Sequence, residues 1–140
     1  MLGLSDKIIQ KIVEVLDFSK IAENLIPVIT QDYVTNEILI FAFANEEAVK
    51  KSLKTGYMHY YSRSRKRLWK KGEESGHFQL IKEVITDCDK DTLLFKVEQI
   101  GAACHKGYFT CFHNELDDGK FVIRGEKLFE PDEVYKRNSK

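Results

Sequence analysis

The longest uncharged apolar run, Ile38 to Ala44, is only the length of a strand, and it feeds straight into the best-punctuated helix of the sequence. Asn45 offers an N-cap, and Glu46 and Glu47 sit where the positive end of the helix dipole favours acid. Lys50, Lys51 and Lys54 follow toward the negative end, and Gly56 stops the segment. A strand that passes directly into a capped helix points to a mixed architecture, in which sheet and helix share one apolar layer. Nor is there room for a transmembrane helix, which needs about 20 consecutive apolar residues.

Short apolar runs separated by turn residues continue on both sides. Ile8, Ile9, Ile12, Val13 and Leu16 recur at helical spacing between Ser5 and about Leu16, opposite Lys7, Gln10, Lys11 and Glu14, which predicts an amphipathic helix docked on a core. Leu25 to Gln31 and Glu37 to Phe43 read as strands around a turn at Asp32 to Asn36. Tyr57 to Ser62, Phe78 to Thr86 and Thr92 to Gln99 read as further strands. Phe109 to His113 and Phe121 to Ile123 follow, with Asp117-Asp118-Gly119 as a turn and a weak helix after Pro131. The basic, glycine-punctuated stretch Ser62 to Gly76 is expected to be a loop, of a length usually kept for function. The expectation is an α+β fold, mostly antiparallel sheet with a few helices, in a single domain over residues 1–140.

Charge narrows the function classes. Lys plus Arg and Asp plus Glu each number 22, so the formal net charge is zero and the surplus expected of a duplex-DNA binder is missing. The visible start has no basic segment followed by an apolar one, and a cytoplasmic location is expected. Three cysteines argue against a full disulfide framework and leave metal binding, catalysis or burial.

Cys88 stands between Asp87 and Asp89, while Cys104 and Cys111 flank a loop that contains His105 and Gly107. Three thiolates are a natural zinc set with a fourth position left for water. The same residues also allow cysteines buried as small hydrophobes, or a closed structural site that recruits His105. Asp87, Asp89 and Asp91 share one parity and offer hard oxygens to magnesium or calcium. They match an EF-hand loop that would end at Glu98, except that Thr92 stands where the turn needs Gly and a strand-like run follows. His113-Asn114-Glu115 imitates half of the zinc-deaminase signature, and no cysteine follows to complete it.

The stretch Arg63 to Gly72 gathers six cations and one indole. It can be a solvated loop, a strip for single-stranded nucleic acid with a base on Trp69, or a compact pocket for a phosphorylated nucleotide. In the last reading Arg63 and Arg65 fork phosphate oxygens and Lys71 adds a point charge, which suits the neutral chain best. His59 and His77 read as structural. His105, beside a candidate ligand, ranks first as a general base.

In their order along the chain these motifs resemble the phosphoribosyl-AMP cyclohydrolase family of histidine biosynthesis. The matching blocks are Ser62-Arg63-Ser64-Arg65 with Trp69, Lys71-Gly72-Glu73, Ser75-Gly76-His77, Asp87-Cys88-Asp89 with Asp91, and Gly101, Cys104-His105, Gly107 and Cys111-Phe112. The resemblance runs from about Ile26 to His113. It implies one zinc ion per subunit held by Cys88, Cys104 and Cys111, magnesium held by Asp87, Asp89 and Asp91, and an intertwined homodimer whose zinc site is shared between chains. It implies hydrolytic opening of the C6–N1 bond of phosphoribosyl-AMP by zinc-activated water, with His105 as the base. Arg63, Arg65, Trp69, Lys71, Glu73 and Ser75 are the implied substrate contacts, with neither nucleic acid nor membrane as partner.

The rival function is a metal-stabilised module for single-stranded nucleic acid, which would bind with steep salt dependence. The chain departs from the family's usual pattern at Lys90, where Gly is frequent, and at Lys106, Phe109 and Thr110, where Thr, Arg and Ser are frequent. None of these is an implied metal ligand, and Lys106 is expected to replace the arginine missing at Phe109. The pyrophosphohydrolase fused to some relatives would need a further domain of about a hundred residues, so a monofunctional chain is expected.

Overall fold

The computed structural model describes residues 3–133. Helix α1 (Asp6–Val15) is capped by Ser5, whose hydroxyl accepts the Ile8 N–H at 3.4 Å, and it turns Ile9 and Val13 into the core as their spacing predicts. Helix α2 (Glu46–Thr55) begins under Asn45, which accepts the Ala48 N–H at 2.9 Å, and ends at Gly56 with φ of 81°. That left-handed angle is open to glycine at little cost. An ion pair from Lys54 to Asp6 at 3.0 Å and the Leu4 N–H to Leu53 carbonyl bond at 3.1 Å tie the helices together.

The described residues hold eight strands, six of them where the sequence predicts: β1 (Ile26–Asp32), β2 (Ile38–Ala44), β3 (His59–Ser62), β4 (Arg67–Lys70), β5 (Gln79–Thr86), β6 (Leu93–Gln99), β7 (Asn114–Asp117) and β8 (Lys120–Ile123), with β4 and β7 unexpected. The main sheet runs β2-β1-β6-β5, while β3-β4 and β7-β8 are separate hairpins. The ladders are antiparallel except at the centre, where β1 and β6 lie parallel with Val28 opposite Leu93 and Thr30 opposite Phe95. The sheet is therefore mixed. Both central strands bury every second residue, so Val28, Phe95 and Val97 meet Leu39, Val49 and Leu53 in one core with the helices.

A buried polar chain crosses this core. The Tyr60 hydroxyl donates to Gln79 at 2.5 Å, and the Gln79 amide donates to Gln99 at 2.8 Å, so the hairpin β3-β4 is hung on β5 and β6 by satisfied groups. Burial pushes the Tyr60 phenol well above its usual range and keeps that donor protonated.

Three segments differ from expectation. Ser62 to Gly76 is not a loop throughout, because β4 pairs with β3, Tyr60 facing Trp69 and Ser62 facing Arg67. Its strand character is masked in the sequence by charged residues on the pocket and solvent sides. Phe109 to His113 is not a strand. The Thr110 hydroxyl and the Cys111 N–H bond to β2 carbonyls, and Tyr108 stacks on His113 at 4.0 Å, which folds the segment back on itself. The ladder begins only at Asn114. Pro131, Asp132 and Glu133 are helical, and the remainder of the helix expected there lies outside the described residues. Among the described residues no helix is long and apolar enough to cross a membrane.

Replacing Asn45 by Ala should cost about 1 kcal/mol, the usual penalty for a lost N-cap. Urea denaturation would detect it as a lower midpoint with an unchanged slope, and an unaltered midpoint would remove the cap from the account.

Candidate functional site

The outer edge of β2, the β3-β4 hairpin, the turn after it and the loop from Ala102 to Cys111 enclose a cavity of about 410 Å³. Arg65, Trp69, Lys71, Glu73, Ser75, His105 and Cys111 all line it. Sequence positions spread over almost fifty residues thus meet in one space. Trp69 forms a wall, its ring held at 5.0 Å from that of Tyr60. Arg63 does not line the cavity; its guanidinium lies 4.8 Å over the Phe43 ring. Arg67, missed in the sequence, lines it instead and pairs with Glu73 at 3.0 Å. The signal was available, because residues 67, 69 and 71 share a parity and a strand reading of 67–70 sends Arg67 to the side of Trp69.

The Ala102 to Cys111 loop is closed by its own backbone. Ala103 N–H bonds the Phe109 carbonyl at 3.0 Å, Cys104 N–H the Tyr108 carbonyl at 3.1 Å, and Gly107 N–H the Cys104 carbonyl at 3.0 Å. Gly107 has φ of 99°, and a Cβ there would collide with the Phe129 carbonyl, so only glycine makes this turn. The loop is pinned to β2 by the Thr110 hydroxyl donating to Ile38 O at 2.5 Å and by Cys111 N–H donating to Leu39 O at 2.9 Å.

These bonds bring the Cys104 and Cys111 thiols side by side. Burial first, then the neighbouring Cys104, pushes the Cys111 thiol up to about 12, with Lys71 acting in the opposite direction. Lys71 itself is only 6% exposed, and burial lowers its pKa against the pull of Cys111 and Cys104. The familial departures have structural uses: Phe109 packs against the core and Thr110 supplies the pinning hydroxyl. Lys106 is exposed and lies off the cavity wall, so it does not replace an arginine there.

Cys88 is elsewhere. It is exposed on the corner between β5 and β6, where the Asp87 carboxylate accepts the Asp91 N–H at 3.0 Å and the Thr92 N–H at 3.3 Å. Lys90 takes φ of 59° in that turn, a left-handed angle that glycine would adopt at less cost. Asp87, Asp89 and Asp91 place ligand oxygens within 4.8 Å of one another, the only such cluster among the described residues, so the three cysteines do not converge within one chain. The Lys20 ammonium reaches Asp89 and Asp91, each at 2.8 Å. It holds Asp89 down at about 2. Lys20 also pulls Asp91 down, yet hydrogen bonds with Asp87 and Asp89 outweigh it and leave that carboxyl raised.

The basic strip is largely engaged internally. Lys66 pairs with Glu23 at 2.9 Å, Arg67 with Glu73, Arg63 lies over Phe43, and Lys70 sits 4.3 Å over the Tyr57 ring. A track for a nucleic-acid backbone needs these cations free and in a row. His77 is wedged under Gly101, where a Cβ would come 2.6 Å from its ring, and its buried Nδ1 has no hydrogen-bond partner.

Comparison with known proteins gives one family. The family model described as phosphoribosyl-AMP cyclohydrolase matches residues 40–113. The phosphoribosyl-AMP cyclohydrolase of Methanoregula boonei is 60% identical over 111 residues, 79% of this chain and 88% of that protein. That of Methanospirillum hungatei is 53% identical over 116 residues, 83% of this chain and 86% of its own length. The histidine biosynthesis bifunctional protein HisIE of Thermoanaerobacter pseudethanolicus is 56% identical over 111 residues, and the match spans 79% of this chain and 51% of that protein.

Burial holds His59, His77 and His105 below the ordinary value of 6.5, reinforced by Lys71 at His77 and by Lys106 and then Lys71 at His105. The unfolded chain therefore binds more protons than the folded one as pH falls past about 6.5, and acid selects the unfolded state. Urea midpoints should drop between pH 7.5 and 5.5; equal midpoints would show that these imidazoles titrate normally.

Proposed function

The chain belongs to the phosphoribosyl-AMP cyclohydrolase family, hydrolases of histidine biosynthesis, and on that premise we propose that its cavity opens the adenine ring of phosphoribosyl-AMP with zinc-assisted water. The observation that carries this reading is the meeting of the Cys111 thiol, an imidazole and a basic aromatic wall around one cavity of nucleotide-binding size, with the buried Cys104 thiol directly behind Cys111. The donor chemistry fits the metal: Cys104 and Cys111 are adjacent soft ligands, the second of them at the wall, and a third thiol, Cys88, is exposed and free to reach a second copy of the chain. In a two-fold homodimer Cys88 of one subunit would then complete the pair of the other. Because Asp87 and Asp89 flank Cys88, the same exchange carries the aspartate cluster to that site. Its close-set hard oxygens suit magnesium and the positioning of a phosphate or ribose.

Zinc, when bound by the three cysteines, supplies Lewis-acid activation of a water molecule for attack on C6 of the purine. That carbon is electrophilic because the phosphoribosyl group on N1 leaves the ring cationic. His105 takes up the proton of the attacking water, since burial and the nearby Lys106 and Lys71 favour the neutral imidazole, the form with a lone pair to accept it. The tetrahedral carbon collapses with cleavage of C6–N1. The water oxygen remains as the carboxamide oxygen, and N1 leaves with the phosphoribosyl group as the formimino nitrogen, receiving the proton from His105. Arg65 is the forked donor at the cavity wall for substrate phosphate, with Arg67 beside it held by Glu73, and Trp69 offers the base a ring face. Arg63, drawn over Phe43, is placed less well for that role.

An ultraviolet assay with phosphoribosyl-AMP should show turnover that is abolished by a chelator and restored by zinc. His105→Ala should retain zinc and lose about 100-fold or more in kcat. Active protein without zinc would end the metal reading, and a variant of near-normal rate would pass the proton to another group.

A further inference from the structure

Lys71 presents a problem of charge. Its side chain is 6% exposed, it lines the floor of the cavity beside Cys111, and among the described residues no carboxylate pairs with it. Its backbone N–H is fixed to the Met58 carbonyl at 3.0 Å, and its ammonium stands 6.0 Å from the centre of the Trp69 ring, at the outer limit of a cation–π contact, which replaces only a small part of the lost hydration. A buried cation without a partner is strongly disfavoured, because the hydration it gives up is not replaced. The groups that face it are Cys104 and Cys111 together with His77 and His105, both of which it pushes toward the neutral form.

We propose that Lys71 is the buried counter-charge of the thiolate metal centre rather than a contact for substrate phosphate. This rests on the zinc reading above. A zinc ion held by three thiolates carries a net charge of about −1, and metal binding is what deprotonates the thiols. The uncompensated ammonium of the metal-free chain thereby becomes one half of a neutral assembly, so Lys71 strengthens metal binding and is strained without it. A lysine kept for phosphate would be indifferent to zinc and would act on KM.

The test is zinc affinity, measured by competition with a chromophoric chelator, and thermal melting with EDTA and with zinc, for wild type, Lys71→Met and Lys71→Arg. The expected results are a loss of about 10-fold or more in zinc affinity for the Met variant, retention of most of it by Arg, and a reversal in melting. Without metal the Met variant melts at or above the wild type, and with zinc below it. Lys71→Gln takes its place if the Met variant does not fold. Equal zinc affinity in Met and wild type, with KM alone raised, overturns the inference and leaves the zinc reading intact. Failure of the wild type to bind zinc overturns both.

Discussion

The loop from Ala102 to Cys111 has to close on itself before any chemistry can be assembled, and a handful of backbone bonds does it. Gly107 makes the reversal in a left-handed conformation closed to any side chain, because the Phe129 carbonyl occupies the place of a Cβ. Thr110 and Cys111 then fasten the return leg to β2. The thiol of Cys104, buried, and that of Cys111, at the cavity, become neighbours because both ends of the loop are fixed, not because of their distance in sequence. β2 in turn is held in the sheet by β1, and Ile40, Phe41 and Ala42 of β2 all line the cavity.

Some of this was legible in the residues alone. Asn45 and Gly56 bounded α2, and the short apolar runs of β1 and β6 between turn residues marked strands, since each signal acts within a few residues of itself. The parallel pairing of β1 with β6 was not legible, because it depends on where the chain returns after more than fifty residues. β4 was missed because Arg67 and Lys70 bracket Leu68 and Trp69, so that a strand with one face in a polar pocket reads as a charged loop.

The site was legible in its chemistry and less so in its geometry. Arg65, Trp69, Lys71, His105 and Cys111 were singled out by residue type, Glu73 and Ser75 by the family resemblance, and one cavity gathers all seven. What the sequence could not convey is environment: that Arg63 is drawn aside by Phe43, that Glu73 is bound to Arg67, and that Lys71 is buried next to thiols instead of standing in water. Burial is decided by packing from distant strands, and it changes what a lysine is for.

The same separation bears on the metal. Two thiols lie together and the third stands on an exposed acidic corner, an arrangement that makes sense as two halves of a site exchanged between identical chains. Complementation tests this most directly: inactive Cys88→Ser and inactive Cys104→Ser chains are unfolded together and refolded with zinc. If the site is shared, half of the dimers are mixed and each mixed dimer holds one intact and one doubly broken site, so about a quarter of wild-type activity should return. If all three ligands belonged to one chain, every site would lack a thiolate, and mixed dimers demonstrated to have formed yet wholly inactive would contradict the account.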